Sequence, residues 1–211
     1  MFIPQPDAPD THRLRKKQRT RVRILANAIA LFRQNGIRST RSIEIAEASD
    51  VSPATLFNYF TTKNDLAEAW VRGEVGSRFD VLAKEVGDRG IRSGLRSCCR
   101  DLAESSWPER KLRLEAWRSA GRAATQTLRH VASLEALVAR EQDRARLRAD
   151  LAAGVLAEMI AEAVEGGVIS GLRESSGLDE FTAGLRARVD VVVDGARKRN
   201  ERVSAPSRPS V

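Results

Sequence analysis

The chain has 211 residues, of which 36 are Lys or Arg and 28 are Asp or Glu, and its formal net charge is +8. This length is sufficient for a globular domain with a small appended domain, and the positive charge favours a polyanionic partner. No apolar run approaches the roughly 20 residues that span a bilayer, and the N-terminus lacks the order of a secretory signal. We therefore expect a cytoplasmic protein without a membrane segment.

Basic residues are concentrated near the N-terminus. Residues 1–73 contain 12 Lys and Arg against 7 Asp and Glu, and seven of the basic residues lie between positions 13 and 23. A charge run is commonly a solvated tail, but this one leads directly into an apolar stripe with helical spacing. We predict a flexible basic arm over residues 1–19 that contacts a nucleic-acid backbone, with Arg19 and Arg21 as candidate contacts.

The next stretch is divided into helices by residues that start and stop them. Gly36 can adopt φ > 0, so it is predicted to end a first helix whose apolar stripe reaches Phe32. Thr40 is predicted to cap a second, short helix. The turn that follows is predicted at Ser49-Asp50-Val51.

A third helix is predicted to begin at Ser52 and Pro53. A serine at the N-cap accepts a hydrogen bond from a backbone N–H of the first turn, which has no partner within the helix. A proline at the first helical position lacks an N–H, but the N–H at that position would have no partner within the helix. Leu56, Tyr59 and Phe60 are spaced to face a core, which leaves small and amide side chains on the outer face. A short helix with such a face fits a major groove roughly 12 Å wide.

The stretch from about Arg21 to Val71 resembles the N-terminal domain of the TetR family of bacterial transcriptional regulators. The residues that carry the resemblance are Arg23-Ile24-Leu25, Leu31-Phe32, Gly36, Ile45-Ala46, Val51-Ser52, Thr55-Leu56-Phe57, Tyr59-Phe60, Lys63 and Leu66. The sequence departs from the family at Asp50, where the family usually has Gly, and at Phe57, where Tyr is more common.

The resemblance implies an all-α protein with an N-terminal three-helix helix-turn-helix domain and a C-terminal helical bundle for ligand binding and dimerisation. We expect the DNA-binding domain over residues 20–66 and the effector-binding and dimerisation domain over residues 67–200. Residues 201–211 are rich in Pro and Ser and are expected to be disordered. The implied function is that of a repressor, bound as a homodimer to a palindromic double-stranded DNA operator and released by a small molecule.

The DNA contacts are expected on the third helix and around it. The residues expected to meet base edges or the groove wall are Ser52, Pro53, Ala54, Thr55 and Asn58, and Asn58 is the best candidate for a hydrogen bond to a base. The residues expected to hold phosphates, which set register rather than sequence, are Thr40, Arg41, Tyr59 and Lys63. Thr40 and Ser52 can also be only caps, Tyr59 only core, and Asn58 only a solvated residue.

After Lys63 the pattern stays helical. Thr62 and Asp65 predict a capping box that starts a helix reaching about Val86. Ser106 and Glu109 predict a second capping box. The segment that follows, from about residue 112 to residue 148, is expected to break near position 121 or position 133.

The last two helices are predicted from Leu151 to about Val164 and from Leu178 to about Asn200. Their wide apolar surfaces require burial on more than one side. In the resemblance these helices pair with their copies in a second subunit. The residues expected in that dimer interface are Leu151, Val155, Leu156, Met159, Phe181, Leu185, Val189, Val192 and Val193. Gly154, Gly166, Gly167 and Gly171 are interpreted as residues of helix ends and loops.

The resemblance also implies a ligand cavity inside the bundle. Large apolar groups line most pockets, so the candidate lining residues are Phe79, Leu102, Trp107, Leu114, Trp117, Leu128 and Met159. Each of them can equally be ordinary core. The sequence has few aromatic residues and no metal-ligand spacing, which favours a small apolar or amphipathic effector and no cofactor or metal.

Two other classes of function are open to the sequence. An enzyme is disfavoured because no Ser/His/Asp set, metal spacing or phosphate-binding glycine loop can be assembled. A DNA-binding protein without an effector, acting architecturally or through a protein partner, shares the N-terminal domain and differs only in the body. The adjacent pair Cys98 and Cys99 is interpreted as buried thiols, with thiol sensing as the alternative.

Overall fold

The structure, a computed structural model, describes residues 11–87, 90–120 and 131–197, and we call residues 11–66 the head and residues 67–197 the body. In these ranges the regular secondary structure is helical, which confirms the all-α class, and Leu147 and Arg197 form an isolated antiparallel bridge. The helices are α1 (Thr11–Asn35), α2 (Ser42–Ala48), α3 (Pro53–Tyr59), α4 (Lys63–Glu85), α5 (Ile91–Ser106), α6 (Arg110–Ala120), α7 (Ala132–Asp143), α8 (Ala153–Glu174) and α9 (Leu178–Gly195).

Most of the predicted start and stop signals in the head are confirmed. Gly36 has φ 79° and Asp50 has φ 48°, so both turns use the left-handed region. The Ser52 hydroxyl accepts a hydrogen bond from the backbone N–H of Thr55 at 3.1 Å, and proline follows it at the first helical position. The predicted capping box at the start of α4 is present, with Thr62 and Asp65 bonded reciprocally. Local chemistry therefore sets each of these boundaries.

Two predictions for the head are wrong. Residues 11–19 of the predicted flexible arm are helical, because α1 begins at Thr11. No Gly or Pro interrupts that stretch, and Arg and Lys favour helices. Thr40 does not cap α2, since Arg41 takes the N-cap position and the Thr40 hydroxyl instead donates to the Gly36 carbonyl oxygen at 2.8 Å. With 1% of its surface exposed, Thr40 belongs to the interior of the head.

Helix α4 runs from the head into the body and packs on α1, α5, α6 and α7. Its buried apolar residues join one continuous core that extends from the head through the body. Two charged residues of α4, Glu68 and Arg72, form a buried ion pair with a nitrogen–oxygen distance of 2.9 Å. A carboxylate oxygen of Glu165 in α8 lies 3.7 Å from Nε of Arg72. Burial raises the pKa of both Glu68 and Glu165. The core at this junction thus contains charge as well as apolar side chains.

The most extensive helix contact in the body joins α8 and α9. Helix α8 continues to Glu174, ten residues beyond the predicted end at Val164. Gly154 lies at its beginning and Gly171 in its last turn, as expected, whereas Gly166 and Gly167 lie in its interior. A Cβ at Gly171 would overlap the Phe181 ring, and one at Gly167 would lie 2.5 Å from Leu185. Gly167 and Gly171 therefore let the helix backbones approach closely, which explains why they are tolerated within α8.

The predicted dimer interface is wrong for five of its nine residues. Leu156, Phe181, Leu185, Val189 and Val193 are fully buried in the core of the single chain, between α8, α9 and their neighbours. They therefore offer no surface to a second subunit. Leu151 and Val192 are half-buried, and Val155 and Met159 are exposed.

The middle of the body also departs from expectation. The predicted capping box at Ser106 is absent, because α5 continues to Ser106 and a 3-10 turn over Trp107–Glu109 leads into α6. Ser106 has helical φ and ψ values of −91° and −31°, so its side chain makes no cap bond. Helix α6 ends at Ala120, next to the predicted break, and residues 121–130 lie outside the described ranges.

Candidate nucleic-acid interface

Helix α3 presents both polar and apolar side chains on its solvent-exposed face. Leu56 fixes the orientation of the helix because its side chain is buried, and Tyr59 is half-buried beside it. Thr55 is half-buried as well. The residues left exposed are Ser52, Pro53, Ala54, Phe57 and Asn58. Four of the five residues predicted to meet bases therefore lie on the accessible side of α3.

An open groove of about 400 Å³ separates α3 from the first half of α1. Its lining contains three cations and no carboxylate, so it favours an anion. The residues that line it are Arg13, Lys16, Lys17 and Thr20 of α1 and Thr55, Asn58 and Tyr59 of α3. Positions 13, 16, 17 and 20 have i, i+3, i+4 and i+7 spacing, which places them on one face of a helix. That spacing could have identified this face, but the prediction of a flexible arm concealed it.

Arg19 and Arg21, the predicted contacts in the arm, have different surroundings. Arg19 is exposed on α1, one turn from Arg23. Arg21 is half-buried, and its guanidinium lies over the Phe60 ring at 4.2 Å from the ring centroid. This cation–π contact holds the guanidinium of Arg21 beside the C-terminal end of α3.

The predicted phosphate contacts around α2 are already engaged within the head. Arg41 is exposed, and its guanidinium donates to Glu44 at 2.8 Å. Hydrogen bonds from the backbone and side chain of Arg41 lower the pKa of Glu44. The Lys63 ammonium donates to the carbonyl oxygens of Arg38 and Thr40, each at 2.9 Å. An ammonium has three donors, so Lys63 retains one for another acceptor.

Ion pairs join the head to the body. Arg33 of α1 makes two hydrogen bonds to Glu109 of the 3-10 turn, at 2.6 and 3.2 Å. The same carboxylate lies 3.4 Å from Arg113 of α6, which is also paired with Glu74 of α4. The hydrogen bond from Arg33 lowers the pKa of Glu109. Three helices and the turn therefore meet at one charged network.

The predicted pocket residues that the structure describes differ in burial. Phe79, Leu102 and Trp117 are buried core, Trp107 and Leu114 are half-buried, and Leu128 lies outside the described residues. Met159 is 45% exposed, so it faces solvent and its assignment to an interior pocket is wrong.

The body does contain a small cavity of about 100 Å³ between α4 and α5, which none of the predicted residues lines. Cys98 contributes to its wall. Both cysteines are buried free thiols, and burial raises the pKa of Cys98 and of Cys99 to about 12. A thiol with such a pKa is almost wholly protonated near neutral pH, which supports the buried interpretation over thiol sensing.

The described ranges contain no helix that is both long and apolar enough to cross a membrane. They also contain no group of three or more His, Cys, Asp or Glu side chains placed to hold a metal ion.

Comparison with known proteins finds relatives of the head. Residues 24–70 match the model of bacterial regulatory proteins of the tetR family. An uncharacterized HTH-type transcriptional regulator, YvkB, of Bacillus subtilis is 39% identical over 69 residues, which is 33% of this chain and 36% of YvkB. The HTH-type transcriptional regulator TcmR of Streptomyces glaucescens is 39% identical over 62 residues, 29% of this chain and 27% of TcmR. The matched segment thus spans about a third of each curated relative.

Solved structures extend the likeness to the whole fold. FadR of Thermus thermophilus, a TetR-family repressor solved with lauroyl-CoA, superposes with a TM-score of 0.66 and 21% identity over 90% of this chain and 100% of that chain. A TetR-family regulator from Pectobacterium atrosepticum gives a TM-score of 0.63 and 20% identity over 87% of this chain and 97% of that chain. At these identities the likeness establishes the arrangement of helices.

Proposed function

We propose that this chain is a transcriptional regulator of the TetR family that binds a palindromic DNA operator as a homodimer, a proposal supported by the family match over residues 24–70. The observation that carries the proposal is the surface formed by α3 and the basic face of α1. It combines an exposed short helix with a groove that is lined by Arg13, Lys16 and Lys17. Phosphates contribute most of the affinity of proteins for DNA, and a helix in the major groove supplies the sequence preference.

Within this proposal the basic groove holds one strand of the DNA backbone. Lys16 and Lys17 provide charge, and the hydroxyls of Thr55 and Tyr59 provide donors on the opposite wall. Arg41 and the remaining donor of Lys63 reach phosphates outside the groove. Thr40 is not carried into the proposal, because its hydroxyl is buried and already bonded.

The proposed homodimer sets the geometry of the operator. Two copies of α3 must reach successive major grooves, about 34–36 Å apart for adjacent half-sites, so the operator is palindromic. The exposed apolar residues of the last two helices, Val155, Met159 and Val191, are the available contacts for a second copy. We propose this surface in place of the residues that are buried in the single chain.

Selection of genomic DNA fragments by the purified full chain tests the proposal. We expect an enriched palindrome at near-physiological salt, and retention without sequence preference would reduce the protein to a basic DNA-coating protein. On the selected operator, Lys16→Ala and Lys17→Ala are each expected to lower the slope of log K against log salt by roughly one unit per protomer.

Lys84→Ala is the matched control for these lysine variants. Lys84 is an exposed lysine in the last turn of α4, and at 1.5 Å per residue it lies roughly 30 Å along the helix from Lys63. Lys84→Ala should leave both the operator affinity and the salt slope unchanged. Lys63→Ala tests whether the third N–H of the Lys63 ammonium contacts a phosphate. An unchanged salt slope would show that this ammonium makes only its two contacts with carbonyl oxygens.

We also propose that the protein is a repressor, released by a small apolar or amphipathic effector. The support is the ion-pair network at Arg33, Glu109 and Arg113, through which a change in the body can alter the position of the head. The effector must bind the released conformation more tightly than the DNA-bound one. Weaker operator binding in the presence of a compound that stabilises the free protein would establish this part.

The effector-independent alternative is favoured by one observation, the size of the cavity between α4 and α5. At about 100 Å³ it is well below the roughly 300 Å³ of the smallest typical ligand pockets. A thermal-shift screen separates the two proposals, because an effector raises the melting temperature of the protein without DNA. Absence of any stabilising compound across broad libraries would favour the alternative.

A further inference from the structure

We propose that the apolar part of the exposed face of α3 reads thymine methyl groups, with Phe57 as the principal contact and Pro53 and Ala54 beside it. The inference rests on the proposed DNA-binding function and identifies what that surface recognises. It shifts the main source of sequence preference away from Asn58, the residue that the sequence favoured.

The first observation is the exposure of Phe57. Its side chain is 48% exposed on a helix whose buried side is fixed by Leu56. At about 100° per residue, Phe57 lies about 40° around the helix from Pro53 and about 60° from Ala54. Since Pro53 and Ala54 are exposed too, the three side chains form one continuous apolar strip.

The second observation is the position of the basic groove. Asn58 lies about 100° from Phe57, on the side away from Leu56. Asn58 lines the groove together with Lys16 and Lys17, whereas Phe57 does not. A DNA strand in this groove would place its phosphates on the Asn58 side. The strip of Pro53, Ala54 and Phe57 then faces the base pairs rather than that strand.

The chemistry of the ring identifies its target. Phe57 has no hydrogen-bond donor or acceptor, so it can bond neither a phosphate nor a polar base edge. The apolar feature that the major groove presents is the 5-methyl group of thymine. The occupant of the strip is therefore the methyl-bearing floor of the major groove, and each half-site should contain an A·T pair at the position facing Phe57.

Substitution of thymine by uracil in the selected operator tests this inference, since it removes one methyl group and changes no hydrogen bond. Each thymine of a half-site is replaced in turn by 2′-deoxyuridine, and affinity for the full chain is measured. At one position we expect a loss of roughly fourfold for one half-site and about 15-fold when both half-sites are changed.

Protein variants assign that loss to Phe57. Phe57→Ala should bind the thymine and uracil operators equally, whereas Phe57→Tyr, which keeps the ring, should retain the difference. Asn58→Ala is the matched control on the same helix, and it should lower affinity without removing the difference. Thermal unfolding of each variant without DNA checks that the half-exposed position leaves the fold intact.

The outcomes separate this inference from the function on which it rests. If no DNA sequence is enriched, both are overturned. If a palindrome is enriched but no uracil substitution weakens binding of the unmodified protein, only the methyl inference is overturned. It is overturned equally if the thymine preference survives unchanged in Phe57→Ala, and a preference that disappears there supports it.

Discussion

The head and the body are both helical, but different physical causes define their helices. In the head each boundary is set by bonds within a few residues, such as the Ser52 cap on Thr55 and the left-handed turn at Asp50. In the body the decisive contacts join different helices, such as Gly171 of α8 with Phe181 of α9. Local capping signals can therefore predict a small domain, whereas the length of a buried helix depends on the helix that it packs against.

The largest expected effect concerns the close approach of α8 and α9. Gly171→Val places a branched side chain where a Cβ already overlaps the Phe181 ring, and Phe181 is fully buried. Overpacking of this kind is expected to lower the free energy of unfolding by about 3 kcal/mol. Chemical denaturation of the full chain measures the change.

Gly166→Ala is the control in the same helix, since a Cβ there has no neighbour within 4 Å. It should stabilise the protein by about 0.5–1 kcal/mol, because alanine favours a helix more than glycine does. Stabilisation by both substitutions would show that helix propensity, rather than contact with α9, governs α8 at these two positions.

A smaller effect is expected in the head. Ser52→Ala removes the hydroxyl that caps α3, and this should cost about 1 kcal/mol of stability. Operator affinity should fall as well, because α3 carries the proposed contacts. Hydrogen exchange of the α3 amides measures the local change, and the experiment would contradict a capping role if α3 exchanged no faster than in the unmodified chain.

A pH-dependent effect is expected where α5 meets α9. Arg96 and Arg92 donate hydrogen bonds to Asp190, and these bonds lower its pKa below the ordinary value of 3.8. Because the pKa of Asp190 is lower in the folded chain, the ionised carboxylate stabilises the fold at pH values above the ordinary pKa. This stabilisation is lost as the pH falls through the lowered pKa. Asp190→Asn should therefore cost about 0.5–1 kcal/mol at neutral pH, since the arginines are partly exposed.

The difference in the free energy of unfolding between Asp190→Asn and the unmodified protein should shrink below pH 3.8. Asp143→Asn serves as the matched control, because Asp143 is exposed at the end of α7 and makes no ion pair with any described residue. Denaturation curves at neutral and acidic pH measure both. A difference that stays constant into acid would exclude the ion pairs as its source.

The smallest effect on stability is expected at the turn between α2 and α3. Asp50→Gly relieves a left-handed conformation but adds freedom to the unfolded chain, so the net change should stay within about 0.5 kcal/mol. Removal of a negative charge from the head should tighten operator binding. Titration of the operator at two salt concentrations measures this, and unchanged affinity would place Asp50 away from the DNA.

The sequence by itself determined the class of the fold and the turns of the head. Gly36, Ser52 and Thr62 act on their own neighbours, so their effects can be read without any tertiary contact. The same signals placed Pro53 and Asn58 on a short helix, which the structure leaves exposed.

Only the tertiary structure decided which apolar faces are covered and which charges come together. Leu185 and Val189 have the same apolar pattern whether a neighbouring helix or a second subunit buries them, and only the packing of α9 shows that the chain itself does. The groove of Lys16 and Asn58 likewise joins residues 42 positions apart. Periodicity shows that a face needs burial, but the partner of that face depends on the three-dimensional path of the chain.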